Sequence, residues 1–173
     1  TLKKLNLSDN QIEEVSSSIP QGLNELRLSC NRLNRIPSLP SYLRKLVLAD
    51  NFLTDIPHLP KYLVHLNLAY NRLTCLPDQE LPPRLKYLCL SMNYRLASLS
   101  SLPSEIKSND KSKPTSLPQG LKVLLINNTS IDELPNEELP LTLAHYDASD
   151  TLLPSLFTST KKVDLIRVRQ RKM

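Results

Sequence analysis

The stretch Leu43-Arg44-Lys45-Leu46-Val47-Leu48-Ala49-Asp50-Asn51-Phe52-Leu53, continued by Thr54-Asp55-Ile56-Pro57-His58-Leu59-Pro60, changes rhythm halfway. Leu46-Val47-Leu48 alternates with period two, which makes a short strand with the leucines on one face and Lys45 and Val47 on the other. The second half is not a helix. Pro57 and Pro60 lack an N–H and fix φ, and about nine residues are too few for a stable helix. Extended polyproline-II backbone is expected there.

Outward from this stretch the same string recurs. It reads Leu2-x-x-Leu5-x-Leu7-x-x-Asn10-x-Ile12 and Leu23-x-x-Leu26-x-Leu28-x-x-Asn31-x-Leu33 upstream, then Leu63…Asn71-x-Leu73, Leu85-x-x-Leu88-x-Leu90-x-x-Asn93 and Leu121-x-x-Leu124-x-Ile126-x-x-Thr129 downstream. The first five starts lie 21, 20, 20 and 22 residues apart. A fixed period of that length marks a repeat architecture: one unit cannot bury its apolar face alone, and stacked neighbours form a continuous core. The fold expected is a leucine-rich-repeat solenoid, with a parallel sheet on its concave face, extended polyproline-II backbone on its convex face and little or no helix. The Asn after each strand lies where the chain turns inward, and its amide carries both donors and an acceptor. Asn10, Asn31, Asn51, Asn71 and Asn93 are therefore expected to form a ladder that satisfies backbone groups left unpaired by the turns.

Composition narrows the function classes. The 173 residues include 14 Pro, 2 Gly, no Trp and no run of about 18 apolar residues, so no transmembrane segment is expected. The chain opens Thr1-Leu2-Lys3-Lys4-Leu5, with neither an initiator Met nor a signal-peptide pattern, and a trimmed N-terminal segment is expected. Cys30, Cys75 and Cys89 are odd in number and lack metal-ligand spacing, which predicts free thiols and neither a disulfide framework nor a metal site. Net charge is +5, but residues 161–173 hold six bases against Asp164, leaving 16 bases and 16 acids in 1–160. A neutral body argues against nucleic acid as a partner, because counterion release requires a basic stripe on the folded surface.

The array departs from its period in one place. Only 36 residues separate Leu85 from Leu121, where two units need 40 to 44. Counting back from Leu121 places a sixth unit near residue 101, with Ile106 as its last strand residue, Asn109 as its ladder Asn and Leu117-Pro118 at its convex end. Ser101 and Ser104 then occupy core slots, which predicts a weak unit. A single domain over 1–173 follows, with units starting near 2, 23, 43, 63, 85, 101, 121 and 143. Its degenerate C-terminal cap covers 143–168, including a last strand around Val163, Ile166 and Val168, and a basic tail covers 169–173. That tail reads either as an import or anionic-lipid motif or, more simply, as a solvated end or the linker into a further domain.

Residues between the strand leucines project from the concave face. Units three to five gather Val47, Asp50, His65, Asn67, Tyr70, Tyr87, Cys89 and Met92 there, with Leu125 one unit on and Phe52, Arg72 and Tyr94 at the edge. Tyr, Met and Arg supply much contact area with few rotors lost, so these twelve residues are the candidate partner site. A competing reading keeps the aromatics as cross-strand pairs that stiffen the sheet. Catalysis is not expected: His65 and His145 lie several strands apart with no nucleophile constellation, and Cys89 reads as a surface-facing spectator thiol. No cofactor is expected.

The pattern L-x-x-L-P-x-L-P-x-x-L-x-x-L-x-L-x-x-N, over nearly the whole chain, resembles the short, bacterial-type leucine-rich repeats of secreted virulence effectors, the class that includes YopM and the invasion-plasmid-antigen-H ubiquitin ligases. The resemblance implies secretion by a bacterium, delivery into the host cytoplasm and binding of a host protein by the repeats, as a monomer or with weak self-association. It leaves open a substrate-recognition fragment of a ligase whose catalytic domain lies elsewhere, and a surface adhesion array.

Overall fold

In the computed structural model, residues 2–15, 19–76, 80–99, 117–132, 134 and 139–153 are described, together with the backbone of 166–167. Among them the strands are β1 (Lys4–Asn6), β2 (Glu25–Arg27), β3 (Lys45–Val47), β4 (His65–Asn67), β5 (Tyr87–Cys89), β6 (Val123–Leu125), β7 (His145–Asp147) and β8 (Ile166–Arg167). They form one parallel sheet in chain order. The chain is a leucine-rich-repeat solenoid, and no helix occurs among the described residues.

Register is set by the leucines. Leu5, Leu26, Leu46, Leu66, Leu88, Leu124 and Tyr146 lie opposite one another across six successive strand pairs. From Leu26 to Tyr146 these side chains are at most 2% exposed. Each buried Leu contributes about 2 kcal/mol of transfer free energy. Leu39, Leu59, Leu76, Leu81, Leu117 and Leu139 close the core from the convex side, bringing the leucines of the Leu-Pro pairs inward.

Before most strands the chain closes in one recurring turn. The N–H of Leu43 donates to the carbonyl of Pro40 at 3.1 Å, and Leu23–Pro20, Leu63–Pro60, Leu85–Pro82, Leu121–Pro118 and Leu143–Pro140 repeat the bond. Proline suits the acceptor position because its carbonyl is intact and its fixed φ costs little entropy.

At the other end of each strand the asparagines knit the units. Asn51 Nδ2 donates to the carbonyls of Leu28 in the preceding unit and Leu48 in its own, while its Oδ1 accepts the N–H of Leu33. Asn31, Asn71 and Asn93 repeat this arrangement. Asn10, in the first unit, is exposed, and among the described residues its side chain bonds only within its own turn.

Tyr87, Leu88 and Cys89 of β5 pair directly with Val123, Leu124 and Leu125 of β6. The sixth unit expected from residue 101 falls outside the described residues. Asn109, Ser101, Ser104 and Ile106 lie outside the described residues, and the ladder passes from Asn93 to Thr129. The junction is held differently: Ser91 Oγ bonds Asn127 Oδ1, and Ser130 Oγ donates to the carbonyl of Tyr94.

Candidate partner-binding surface

The sheet positions three rows of side chains on the concave face. The first runs Lys4, Glu25, Lys45, His65, Tyr87, Val123 and His145, each in register with the next. Its front is ionic: Glu25 meets Arg27 at 2.7 Å and both Lys4 and Lys45 at 3.8 Å. The hydrogen bond from Arg27 is the main reason that the Glu25 carboxyl titrates below its ordinary range. The centre of the row is aromatic. His65 and Tyr87 stack with centroids 4.1 Å apart and planes 10° from parallel. Burial, with Lys45 and Arg27 adding repulsion, pushes the His65 imidazole below its ordinary value and keeps it neutral at pH 7.

The second row holds Asn6, Arg27, Val47, Asn67, Cys89, Leu125 and Asp147. Val47, Asn67 and Leu125 are half-buried. Cys89 is corrected from a surface thiol to a buried one, 5% exposed, with Sγ 3.6 Å from Ser91 Oγ. A short side chain between Asn67 and Leu125, beside Tyr87 on its own strand, sinks below its longer neighbours. It offers a partner almost no area.

The third row is set by the backbone. Asp9, Cys30, Asp50, Tyr70, Met92, Asn128 and Asp150 all have φ between 54° and 60°. This left-handed conformation turns the chain from strand to ladder Asn, and Asp and Asn tolerate it best among residues with a Cβ. Cys30, Tyr70 and Met92 therefore hold it at a cost. Tyr70 is 55% exposed, and among the described residues its side chain has no hydrogen-bond or ring partner. Sequence spacing located these side chains but gave no sign of the strained backbone beneath them.

Along the edge after the ladder, the Arg72 guanidinium lies over the Phe52 ring at 4.5 Å, and Tyr94 Oη donates to Met92 Sδ at 3.3 Å. Phe52 and Tyr94 remain 42% and 57% exposed. The twelve candidate residues thus divide. Tyr70, Met92, Phe52, Arg72, Tyr94 and Asp50 stand along the ladder edge, His65 and Tyr87 use their faces on each other, Val47, Asn67 and Leu125 floor the surface, and Cys89 is buried beneath it. Among the described residues no cluster of three or more His, Cys, Asp or Glu could hold a metal, and no helix is long and apolar enough to cross a membrane. The pair of sequences Pro40-Ser41-Tyr42-Leu43 and Pro60-Lys61-Tyr62-Leu63 is a signal the spacing argument passed over; it places two further aromatics on the opposite edge.

The Leucine Rich Repeat family model matches residues 1–23, the first unit and the turn into the second. No curated protein matches in sequence. Among solved structures, the leucine-rich-repeat domain of a Shigella effector is similar at 25% identity and a TM-score of 0.61, over 91% of this chain and 73% of that one. YopM, a leucine-rich effector protein from Yersinia pestis, is similar at 28% identity and a TM-score of 0.72, over 88% of this chain and 38% of that one. The protein is thus a leucine-rich-repeat solenoid. More particularly, its repeats resemble those of bacterial effectors, and they support a protein-interaction module. The chain spans well under half the length of YopM.

Proposed function

We propose that this chain is the recognition module of a bacterial effector delivered into a host cell, where it binds a host protein through the concave face along its ladder edge. The carrying observation is Tyr70: an exposed phenol without a side-chain partner, held on left-handed backbone that an Asp would adopt at less cost. Backbone strain retained at a surface position points to use of that position. Phe52 and Arg72 on one side and Met92 and Tyr94 on the other extend it into a surface of the residue types that dominate interface energetics. The sheet beneath is rigid, so little ordering entropy opposes association.

The test is capture from host-cell lysate on immobilised wild type, with Tyr70→Ala plus Phe52→Ala as paired bait. Circular dichroism establishes that the variant is folded. A discrete host protein retained by wild type and lost from the folded variant is the expected outcome; equal retention by both overturns the site. A variant carrying Tyr87→Ala alone should retain more than the pair, because Tyr87 is half-buried against His65.

A further inference from the structure

A second surface lies on the edge that precedes the strands, and nothing in the concave-face reading uses it. The recurring Pro-x-x-Leu turn places its third residue at the same point in every unit, and in three consecutive units that residue is Tyr42, Tyr62 and Arg84. The two rings stack at 5.6 Å and 8°. Lys61 Nζ and Arg84 Cζ each lie 5.1 Å from the Tyr62 centroid. Tyr42 is 66% exposed. Beside the stack are two grooves of about 610 and 400 Å³, the larger walled by the tyrosines with Pro57 and Pro60, the smaller by the tyrosines with Lys3, Arg44 and Arg84. Neither groove has a carboxylate in its wall.

Two residues further along the chain, past the buried Leu of each turn, a second row follows. The N–H groups of Asn24, Arg44, Val64, Lys86 and Lys122 each donate to the carbonyl of the equivalent residue one unit earlier, at 2.8–2.9 Å, beginning from Lys3. The row is therefore evenly spaced, at about 4.8 Å per unit. Lys3, Arg44 and Lys86 stand on alternate steps, about 9.6 Å apart. Among the described residues, none of Lys3, Arg44, Lys61, Arg84, Lys86 and Lys122 is in an ion pair; the ion pairs there join Glu13, Glu14 and Glu25 to Lys4, Arg27, Arg32, Arg35 and Lys45. The nearest described acid in sequence, the exposed Glu80, lines neither groove.

We infer that this edge binds an acidic, proline-containing segment of a partner protein, held as a polyproline-II helix parallel to the solenoid axis. Three residues of polyproline II advance about 9.3 Å, so a carboxylate at every third position meets Lys3, Arg44 and Lys86 in turn. Aromatic and proline walls are how such segments are recognised elsewhere, because their extended backbone is already ordered before binding. The regular two-step spacing of the cations favours this occupant over nucleic acid, whose phosphates have no such repeat.

A labelled peptide of repeating Glu-Pro-Pro triplets, titrated with the full chain and followed by fluorescence anisotropy, tests the inference. Binding should be saturable, weaken with added salt, and fall about tenfold with Arg44→Glu plus Arg84→Glu. Tyr42→Ala, a change at an exposed ring, should weaken it about threefold. Tyr70→Ala should leave it unchanged, which separates this edge from the concave face. No saturable binding, equal binding of Glu-Gly-Gly repeats of the same length, or tighter binding of single-stranded oligo-dT would each overturn the inference.

Discussion

Front and rear units close the same turn with different chemistry. In the front, Asn51 bonds two units at once, donating to Leu28 and Leu48 and accepting from Leu33. In the rear, Thr129 and Thr151 donate only to Ile126 and Ala148 of their own units. The hydroxyl replaces the local half of the asparagine's work and abandons the half that couples neighbours. Unit five shows how this is tolerated. Its extra residue lets the N–H of Leu96 bond the carbonyl of Asn93, so the following unit has no waiting donor for an Asn Oδ1 to satisfy. The coupling supplied by the ladder side chain is thus a local property, and it is lost where Thr129 and Thr151 replace Asn; there the units are joined by backbone bonds and by Ser91, Ser130 and Thr142 instead.

The largest effect expected from this contrast is at Asn51. Asn51→Ala leaves buried backbone groups of two units unpaired and should cost about 3 kcal/mol in urea unfolding, whereas Thr129→Ala should cost about 1 kcal/mol. Equal costs would mean that the ladder does not couple units. The reverse exchange sharpens the point. Thr129→Asn can regain the donor to Leu90 but finds no N–H for its Oδ1, so a gain of about 1 kcal/mol is expected rather than the full difference.

The left-handed slot separates the same two regions. Its occupants are Asn128 and Asp150 in the rear, whereas in the front Asp9 and Asp50 alternate with Cys30, Tyr70 and Met92, which adopt it at greater cost. Tyr70→Asn should raise stability by about 1 kcal/mol by relieving strained backbone while lowering host-protein capture; Asp50→Asn should change neither. A variant that gains stability and keeps full capture would leave the strain without a functional explanation.

The smallest expected effect is a pH dependence specific to the front. The folded state lowers the affinity of His65 for protons below that of the unfolded chain, whose His titrates near 6.5. The unfolded state then binds more protons, so stability is full above pH 6.5 and declines as pH falls below it. His65→Gln should flatten the melting temperature between pH 7 and 5.5, measured against the parent. Glu25, shifted in the same direction, acts lower: it contributes above its ordinary 4.5 and loses that contribution on further acidification.

Much of the fold was legible because a parallel solenoid asks for few things and repeats them. Leu46-x-Leu48 and Asn51, once seen several times in phase, determine strand, face and register together, and the short bacterial-type repeat was readable from Leu-Pro pairs. The candidate site was legible in position but not in condition. Spacing placed Tyr70 and Cys89 on one face; it could not show that Tyr70 stands on left-handed backbone or that Cys89 sinks between Asn67 and Leu125. Charge failed by cancellation. The neutrality of residues 1–160 sums over opposite edges, hiding six cations along one of them.

The direct contact of β5 with β6 has the character of a stacking fault in a one-dimensional crystal. Thirty-six residues separate the two unit starts, yet the strands meet in the same register as strands 20 residues apart. Because every unit presents its neighbour with the same leucines at the same height, the lattice phase survives whatever length of chain lies between layers. An array built this way can gain, lose or bypass a layer without retuning the rest, which makes its length and its surface independently editable.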